Sequence, residues 1–380
     1  MNSWLAGVIV VPSVLWLIGL LRWLRKSDAP AGPTAIGTVA AVVVARNEER
    51  TIGVCLRSLV AQGETLSEIF LYDDSSTDRT RDIAFQISTE HQKLRVHAVA
   101  YEAGTVSPKK RALAMAFQNN TAAKVALTDA DCVVPPKWIR RMSALFDEQT
   151  GAVIGASWPE EKRSLSERIY RWERLTANSL MASACGWGRP ASACGHNILY
   201  SAKALKEVDA PVRRDLPSGD DDLTVQAVAR AGWQVRFCAD PQSVVRDMGG
   251  LRGSRWQQAA RHQSVTHLYP WYWRVLFALS ILANITAISL LLALPMLSYR
   301  LLIVNILLIK LLIDCLIGIT LARKLRLDIG VVETCIASGL LPLWVLWRTI
   351  ASFFGRTFQW RGRRMTPTQT VIPSTDIHGF

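Results

Sequence analysis

Residues 39–48 read Val-Ala-Ala-Val-Val-Val-Ala-Arg-Asn-Glu, and this stretch decides the fold of the chain. Its first six residues are apolar and mostly β-branched, which is typical of a strand buried on both faces of a sheet. Polar residues end the run, and Ile52, Leu56 and Leu59 then recur at helical spacing. The stretch therefore predicts a buried parallel strand that leads into a helix.

The same alternation of strand and helix continues along the chain. Further strands are predicted at 69–72, 94–99, 125–128 and 235–237, and further helices at 78–87, 109–118, 163–181 and 223–230. This order predicts an α/β fold, a mostly parallel sheet flanked by helices. Ligands of such open sheets bind beyond the carboxyl ends of the strands, so the residues at those ends are candidates for a site.

Acidic residues stand at these strand ends, although the formal net charge of the chain is +13. Asp129 and Asp131 follow the predicted strand at 125–128. Hard divalent cations prefer carboxylate oxygens and keep coordination positions open for substrate phosphates. The pair therefore predicts a site for Mg²⁺ or Mn²⁺ that bridges the phosphates of a nucleotide. The alternative is an ordinary solvated acidic loop.

A second acidic pair and two lysines are further candidates for the predicted nucleotide site. Asp73 and Asp74 end the strand at 69–72, where they can accept hydrogen bonds from a base imide or a ribose hydroxyl. Their alternative role is to cap the next helix, which Asp78 can do equally well. Lys109 or Lys110, at the start of a helix, can meet a diphosphate; a solvated lysine is the alternative.

Three consecutive aspartates, Asp220, Asp221 and Asp222, precede the helix at 223–230. A hydroxyl that attacks a sugar C1 needs a carboxylate within hydrogen-bond reach, and crowding of acids raises their pKa values, which favours a base. We predict that Asp221 is the general base. The alternative is that all three aspartates cap the helix.

These motifs form an ordered set with a known family resemblance. The set is ARNEE at 45–49, DDSSTD at 73–78, DAD at 129–131, GDDDL at 219–223 and Gln258-x-x-Arg261-His262. In this order they resemble the inverting, membrane-bound family 2 glycosyltransferases, which have a GT-A type catalytic domain. The resemblance covers roughly residues 39–265.

The resemblance implies a role for each motif. Ala45, Asn47 and Glu48 would line the nucleotide pocket, and Asp73 or Asp74 would contact the base.

In the same resemblance, Asp129 and Asp131 would handle the metal and the diphosphate. Asp220 and Asp221 match the acidic pair of the family, which makes Asp221 the base rather than Asp222. Apart from the resemblance, the mechanism that we predict has the metal, Arg261 and Lys110 stabilise the charge of the leaving diphosphate.

The last motif departs from the family pattern. Gln258, Arg261 and His262 align with Q-x-x-R-W, whose arginine meets the diphosphate and whose tryptophan lies near the acceptor. Histidine in place of tryptophan argues against the chain-extending members of the family. His262 either offers a hydrogen bond to the acceptor or is a plain interfacial residue.

Apolar segments place the chain in a membrane. A run at 4–21 is long enough to cross a bilayer, and Arg22, Arg25 and Lys26 follow it. This order favours an uncleaved anchor over the alternative of a cleaved signal peptide, and it places the residues after Leu21 in the cytoplasm. The other cations also lie largely beside apolar segments, which fits a membrane leaflet better than nucleic acid. Seven scattered cysteines without a C-x-x-C pair predict reduced thiols.

The predicted organisation has five parts. They are an anchor (1–26), a cytoplasmic GT-A domain (36–250), an interfacial segment (251–274), membrane segments (275–350) and a basic cytoplasmic tail (351–380). Three apolar segments lie within 275–350, and three full spans would put the basic tail outside. We therefore expect two spans, with the third segment re-entrant at Pro342 or one segment in the interface. Lys310 and Asp314, one turn apart, are expected to pair in the membrane.

The sequence predicts a glycosyltransferase that moves a sugar, with inversion, from a nucleotide-diphosphate sugar to a hydroxyl of a lipid acceptor. We expect an integral protein of the bacterial inner membrane. The alternatives are a processive polysaccharide synthase and a non-catalytic, glycosyltransferase-like scaffold. The sequence leaves the donor sugar, the acceptor and the oligomeric state open.

Overall fold

The structure is a computed structural model that describes residues 2–27, 37–100, 107–160, 164–249, 261, 263–296, 298–354, 358–360, 363–366 and 369–372. Its strands in the main part of the chain are β1 Val39–Ala45, β2 Glu68–Asp73, β3 Leu94–Ala98, β4 Lys124–Leu127, β5 Cys132–Val133, β6 Thr150–Ile154, β7 Ser157–Pro159, β8 Ile198–Ser201, β9 Gln234–Phe237 and β10 Val245–Asp247. Its helices there are α2 Ile52–Val60, α3 Thr80–Glu90, α4 Pro108–Asn119, α5 Trp138–Ser143, α6 Leu165–Gly186, α7 Ala202–Glu207 and α8 Asp222–Arg230.

A seven-stranded sheet in the order β3-β2-β1-β4-β8-β6-β9 forms the centre of this α/β domain. Every pairing in it is parallel except the two made by β8. A small sheet, β5-β10-β7, lies beside it. The prediction of a mostly parallel α/β fold is confirmed.

The continuous apolar run of β1 is explained by two cores, one on each face of the sheet. Val39, Ala41 and Val43 pack into the core that α2, α3 and α5 cover. Ala40 and Val42 point to the other core, which α4, α6, α7 and α8 cover. Because successive strand residues face opposite sides, a strand covered on both faces must be apolar at every position.

The register of the central strands brings the predicted acids to one edge. Ala45 at the end of β1 lies opposite Asp73 at the end of β2, and β4 pairs with β1 up to Leu127. Asp129, two residues beyond β4, therefore emerges at the same edge as Asp73. The predicted meeting of strand ends is present in the fold.

The N-terminal helix α1, Asn2–Ser27, is part of the domain core as well as an apolar segment. The indole Nε1 of Trp23 donates a hydrogen bond to the carbonyl oxygen of Phe237 at 3.0 Å, and both rings belong to the same core. Gly19 and Gly186 allow α1 and α6 to touch, because a Cβ on Gly186 would lie 1.8 Å from the Gly19 oxygen.

Three long helices follow the domain: α9 Trp271–Ala293, α10 Arg300–Lys324 and α11 Val331–Phe354. With α1 they are the four helices, among the described residues, that are long and apolar enough to cross a membrane. The predicted pair is confirmed, since Lys310 Nζ lies 2.5 Å from Asp314 Oδ2. Within the predicted tail, three short antiparallel strands run β11 Phe358–Trp360, β12 Arg363–Thr366 and β13 Gln369–Ile372.

All seven cysteines are free thiols, as predicted from their spacing. Five are buried and two are partly exposed. They fill space in the core and between helices, and none of them closes a loop.

Candidate active site

The loop after β1 and the loop after β2 are held together by polar contacts of Asn47. Its backbone has a positive φ of 52°, a conformation that asparagine tolerates better than most residues. Its Oδ1 accepts from the backbone N of Thr77 at 2.8 Å, and its own N donates to Ser76 Oγ at 3.0 Å. Asn47 therefore shapes the loops, and Ala45 supports them by accepting from the N of Asp74 at 2.8 Å.

Glu48 and Asp78 anchor the same loops to helices. Glu48 is buried; its backbone N donates to Thr80 Oγ1 at 2.7 Å and its Oε2 accepts from Thr51 Oγ1 at 3.0 Å. Asp78 Oδ1 accepts from the backbone N of Thr80, the first residue of α3, at 3.0 Å. The N-cap residue of α3 is Arg79, which makes no side-chain capping bond, so Asp78 supplies an acceptor at the helix start from one residue earlier than a cap would.

Asp73 presents an unused acceptor in this loop cluster. The residue is 2% exposed, and its Oδ2 accepts from the N of Ser76 at 3.3 Å. Among the described residues nothing donates to its buried Oδ1. A buried carboxylate oxygen without a donor is costly, so a ligand with an N–H or O–H group would be stabilised here.

Lys109 bridges two of the predicted carboxylates. Its Nζ lies 3.2 Å from Asp129 Oδ1 and 3.0 Å from Asp220 Oδ2. Removal from water raises the pKa of Asp220, but the ammonium groups of Lys109 and Lys110 outweigh this and bring the pKa to about 2. Asp220 is therefore an ion-pair partner and not a proton acceptor.

Lys110, which was predicted to meet the diphosphate, has a structural contact instead. Its side chain is buried, and its Nζ donates to the carbonyl oxygens of Arg213 at 2.8 Å and Ser218 at 2.7 Å. These bonds fix the loop that leads to the three aspartates. Lys109, its neighbour on α4, supplies the cation at the carboxylates.

The three consecutive aspartates have three different environments. Asp222 Oδ1 accepts from the N of Ala193 at 3.0 Å and its Oδ2 from Tyr269 Oη at 2.6 Å, so this residue links two loops. Removal from water raises the pKa of Asp222 to about 6, partly offset by the Tyr269 bond.

Asp221 has the third environment. It occupies the cap position of α8 but makes no capping bond with its side chain, against the alternative that it serves the helix. Its carboxylate lies so close to Gly195 that a Cβ there would be 2.6 Å from Asp221 Oδ2. Burial and then the charge of Asp220 raise the pKa of Asp221 well above its ordinary value.

A mixed set of ligand atoms lies beside Asp129. Those of Asp131, Cys132 and His196 are all within 4.8 Å of one another. His196 Nε2 is 3.3 Å from Asp129 Oδ2, and among the described residues its buried Nδ1 has no hydrogen-bond partner. Carboxylate oxygens suit Mg²⁺ or Mn²⁺ and imidazole suits other first-row divalent ions, so Asp131 and His196 fit a divalent cation. Burial raises the pKa of the Cys132 thiol to about 12, which disfavours the thiolate that a metal would need. His196 is not among the residues that the sequence motifs indicated.

The Q-x-x-R-H motif is described only at Arg261, because Gln258 and His262 lie outside the described residues. Arg261 lowers the pKa of Asp220 from a distance, after the effects of burial and of the two lysines. It lines the same cavity as Asp129, Asp220 and Asp221. Arg261 is thus on the carboxylate side of the site.

One cavity of about 780 Å³ joins these carboxylates to the long apolar helices. Its lining at the domain end includes Lys109, Asp129, Asp220, Asp221 and Arg261. Its lining on the long helices includes Ser13, Trp16, Phe277, Ile281, Asn284, Lys310, Asp314, Ile317, Leu341 and Trp344. The site therefore opens toward the apolar segments as well as toward the strand ends.

Comparison with known proteins agrees with this architecture. The family model described as "Glycosyl transferase family 2" matches residues 40–209. The beta-monoglucosyldiacylglycerol synthase of Synechocystis sp. is 27% identical over 187 residues, which are 46% of this chain and 38% of that protein. Glycosyltransferase AglE of Haloferax volcanii is 26% identical over 204 residues, 53% of this chain and 64% of that protein. The matched segments thus span less than two thirds of these curated relatives.

A solved structure shares the fold over most of the chain. It is a mannosyltransferase from Pyrobaculum calidifontis in complex with GDP-Man and Mn²⁺, with a TM-score of 0.56 and 21% identity. The match covers 90% of this chain and 99% of that one. The likeness extends beyond the α/β domain to the long helices that follow it.

Proposed function

We propose that the chain, whose residues 40–209 match the glycosyl transferase family 2 model and which shares its fold with a solved mannosyltransferase, is a family 2 glycosyltransferase of the GT-A type. On this proposal it transfers a sugar, with inversion, from a nucleotide-diphosphate sugar to a hydroxyl of a membrane lipid. One observation supports a lipid as the acceptor: the long apolar helices line the same cavity as Asp221. A soluble acceptor needs no such route. The diacylglycerol-lipid synthase among the relatives supports the same assignment.

The donor would bind across the strand ends. The unpaired Oδ1 of Asp73 offers an acceptor for an N–H or O–H of the nucleoside. Asp129 and Asp131, with His196 beside them, would hold the divalent cation, which supplies positive charge to the leaving diphosphate. Lys109 and Arg261 add fixed positive charge on the same side.

Asp221 would act as the base in a single displacement. Its carboxylate takes the proton of the acceptor hydroxyl while that oxygen forms a bond to the sugar C1, and the bond from C1 to the diphosphate oxygen breaks. A carboxylate with a raised pKa accepts a proton more readily, which suits this role.

Single substitutions of Asp221 and Asp222 by asparagine test whether Asp221 is the general base. We expect Asp221→Asn to lower transfer from a labelled sugar nucleotide by about 10²- to 10⁴-fold, which is the usual contribution of a general base. Asp222→Asn is the matched control, because both Asp222 oxygens already serve the protein, and it should stay within a few-fold of the wild type. Full activity of the Asp221 variant would refute the assignment.

The product test uses lipid extracts made with and without the protein. Mass spectrometry should show lipids that have gained the mass of one sugar, and the gain should be lost with EDTA. A product that is only soluble or only polymeric would overturn the lipid acceptor and favour the polysaccharide synthase.

For the membrane arrangement, we propose that α11 lies obliquely beneath the domain and does not cross the bilayer. Glu333 near its start accepts from Trp172 at 3.1 Å, and Trp344 donates to Glu173 at 2.5 Å. These α11 residues are about 16 Å apart along the helix axis, yet both contact α6. An upright span would carry one of them away from the domain.

This arrangement leaves the basic residues after α11 on the side of the domain, as the positive-inside rule requires. A protease-sensitive tag at the C-terminus of the protein in sealed inner-membrane vesicles tests it. Cleavage from the face opposite the catalytic domain would mean that α11 is a full span.

A further inference from the structure

The membrane end of the cavity contains polar groups that neither the fold nor the transfer reaction explains. Lys310 and Asp314 have side chains 5% and 9% exposed, and both line the cavity. Asn284, on α9, is 6% exposed and lines the same cavity. Ionisable and polar groups within membrane helices are costly, and where they face a cavity they mark a functional site by default.

These groups lie deep in the bilayer. The domain end of α10 is fixed, because Leu321 and Ala322 pack into the domain core. From Lys324 to Lys310 the helix rises about 21 Å, and from Trp271 to Asn284 α9 rises about 20 Å. A bilayer is about 40–45 Å thick with its headgroup regions, so helices that begin in a headgroup region reach its middle after about 20 Å.

Asn284 and Lys310 can each form a further hydrogen bond with a ligand. Asn284 Nδ2 donates to the carbonyl oxygen of Ser280 at 2.7 Å, and among the described residues nothing donates to the buried Oδ1 of Asn284. The Lys310 ammonium has three N–H groups, one of which Asp314 Oδ2 accepts at 2.5 Å. An unpaired buried acceptor costs free energy that a ligand donor would recover.

Between its two polar ends, the cavity has apolar walls. Phe277, Ile281, Ile317, Leu341 and Val345 line the cavity with apolar surface. An occupant that matches the whole cavity is therefore polar at Asp221, apolar along its length and polar again near the centre of the bilayer. A plain alkyl chain would leave Asn284 Oδ1 without a donor.

We propose that the acceptor is a lipid whose chain carries a hydroxyl or amide group, and that Asn284 and the Lys310–Asp314 pair form the subsite that binds this group. The proposal rests on the lipid acceptor proposed above and deepens it by naming the class of lipid. The O–H or N–H of the chain donates to Asn284 Oδ1.

A binding comparison tests the subsite without relying on transfer. The probes are di(12-hydroxystearoyl)glycerol and distearoylglycerol, which share a backbone and chain length and differ by a hydroxyl in mid-chain. The purified full-length protein in detergent is given an equimolar mixture, and native mass spectrometry measures the ratio of the two bound lipids. We expect the wild type to favour the hydroxylated lipid about tenfold, which is the effect of one hydrogen bond to a buried partner.

Two matched variants isolate the contact. Asn284→Leu should bring the ratio to about one, by weakening binding of the hydroxylated lipid and not of the plain one. Asn305→Leu is the control: Asn305 is also an asparagine in a membrane helix, but it is exposed on the outside of α10. It should keep the wild-type ratio. A wild-type ratio of about one, or an unchanged ratio in Asn284→Leu, would overturn the subsite.

The transfer assay separates this proposal from the one on which it rests. If the binding ratio behaves as expected but no lipid gains a sugar, the subsite stands and the proposed function fails. If lipids gain a sugar but hydroxylated and plain lipids bind equally in the wild type, the function stands and the subsite fails.

Discussion

Asp222→Asn is expected to stabilise the protein at neutral pH, although it removes a charged residue next to the proposed base. Asp222 is partly buried and receives hydrogen bonds from the N of Ala193 and from Tyr269 Oη. Its pKa is raised by removal from water from 3.8 to about 6. Between about pH 4 and pH 6, Asp222 therefore keeps its proton in the folded state, whereas the unfolded chain has already released it.

The size and sign of the effect follow from linkage. Between about pH 4 and pH 6 the unfolded state binds fewer protons at this site, so the free energy of unfolding falls as pH rises. The shift of about 2 pKa units corresponds to up to about 3 kcal/mol. This contribution to stability is fully present below the unfolded pKa and is lost as pH rises through the folded pKa of about 6.

Asparagine reproduces the protonated form of the side chain. Its oxygen can still accept from the N of Ala193, and its amide can donate to the oxygen of Tyr269. Asp222→Asn should thus match the wild type near pH 4 and exceed it by up to about 3 kcal/mol near pH 7.5.

Denaturant unfolding in detergent, at a series of pH values from 4 to 8, measures the difference between the two proteins. Because the other titrating groups are common to both, their effects largely cancel in the difference. A wild type that is more stable at pH 7.5, by a margin that grows with pH, would refute the reasoning. The control is Asp215→Asn, an exposed partner of Arg213 for which we expect a difference within about 0.5 kcal/mol.

Two further substitutions test the geometry of the site. Lys109→Met should lower the free energy of unfolding at pH 7 by about 2 kcal/mol, because it leaves two partly buried carboxylates without their shared cation; unchanged stability in denaturant unfolding would contradict the bridge. Gly195→Ala should lower kcat/KM by at least about tenfold without a loss of helix content by circular dichroism, because its Cβ would lie 2.6 Å from Asp221 Oδ2 and displace the proposed base. Wild-type kcat/KM in this variant would mean that the Asp221 position does not matter for transfer.

Among the predicted strands, three have apolar runs that are buried on both faces of the sheet. β1, β2 and β4 were evident for this reason, and the acids that follow them needed no further information. The pairing of β8 beside β4 is different, because an antiparallel strand after a long helix has no local signal. That pairing explains His196: Leu127 lies opposite Ile198, so Asp129 and His196 emerge opposite each other two residues beyond.

The sequence does not distinguish the roles of adjacent residues of the same type. Lys109 and Lys110 differ by about 100° around α4, and the sequence does not tell which of these directions faces the carboxylates. The fold decides it, since Lys110 meets the carbonyl oxygens of the loop before Asp220. In the sequence, only the family resemblance distinguishes Asp221 from Asp222 as the base. The structure adds a physical difference, since Tyr269 donates a hydrogen bond to Asp222.

The hydrogen bond of Trp23 to Phe237 fixes the position of the N-terminal helix relative to the α/β domain. A flexible tether would leave the height of the α/β domain above a membrane variable, whereas a helix that packs into the domain core would fix the distance between the carboxylates and the lipid surface. On the proposed function, an acceptor would then have to present its hydroxyl at that height, and lipids with bulky or extended head groups would place it beyond Asp221. Removing the first 27 residues to obtain a soluble fragment would take away part of the core together with this spacing.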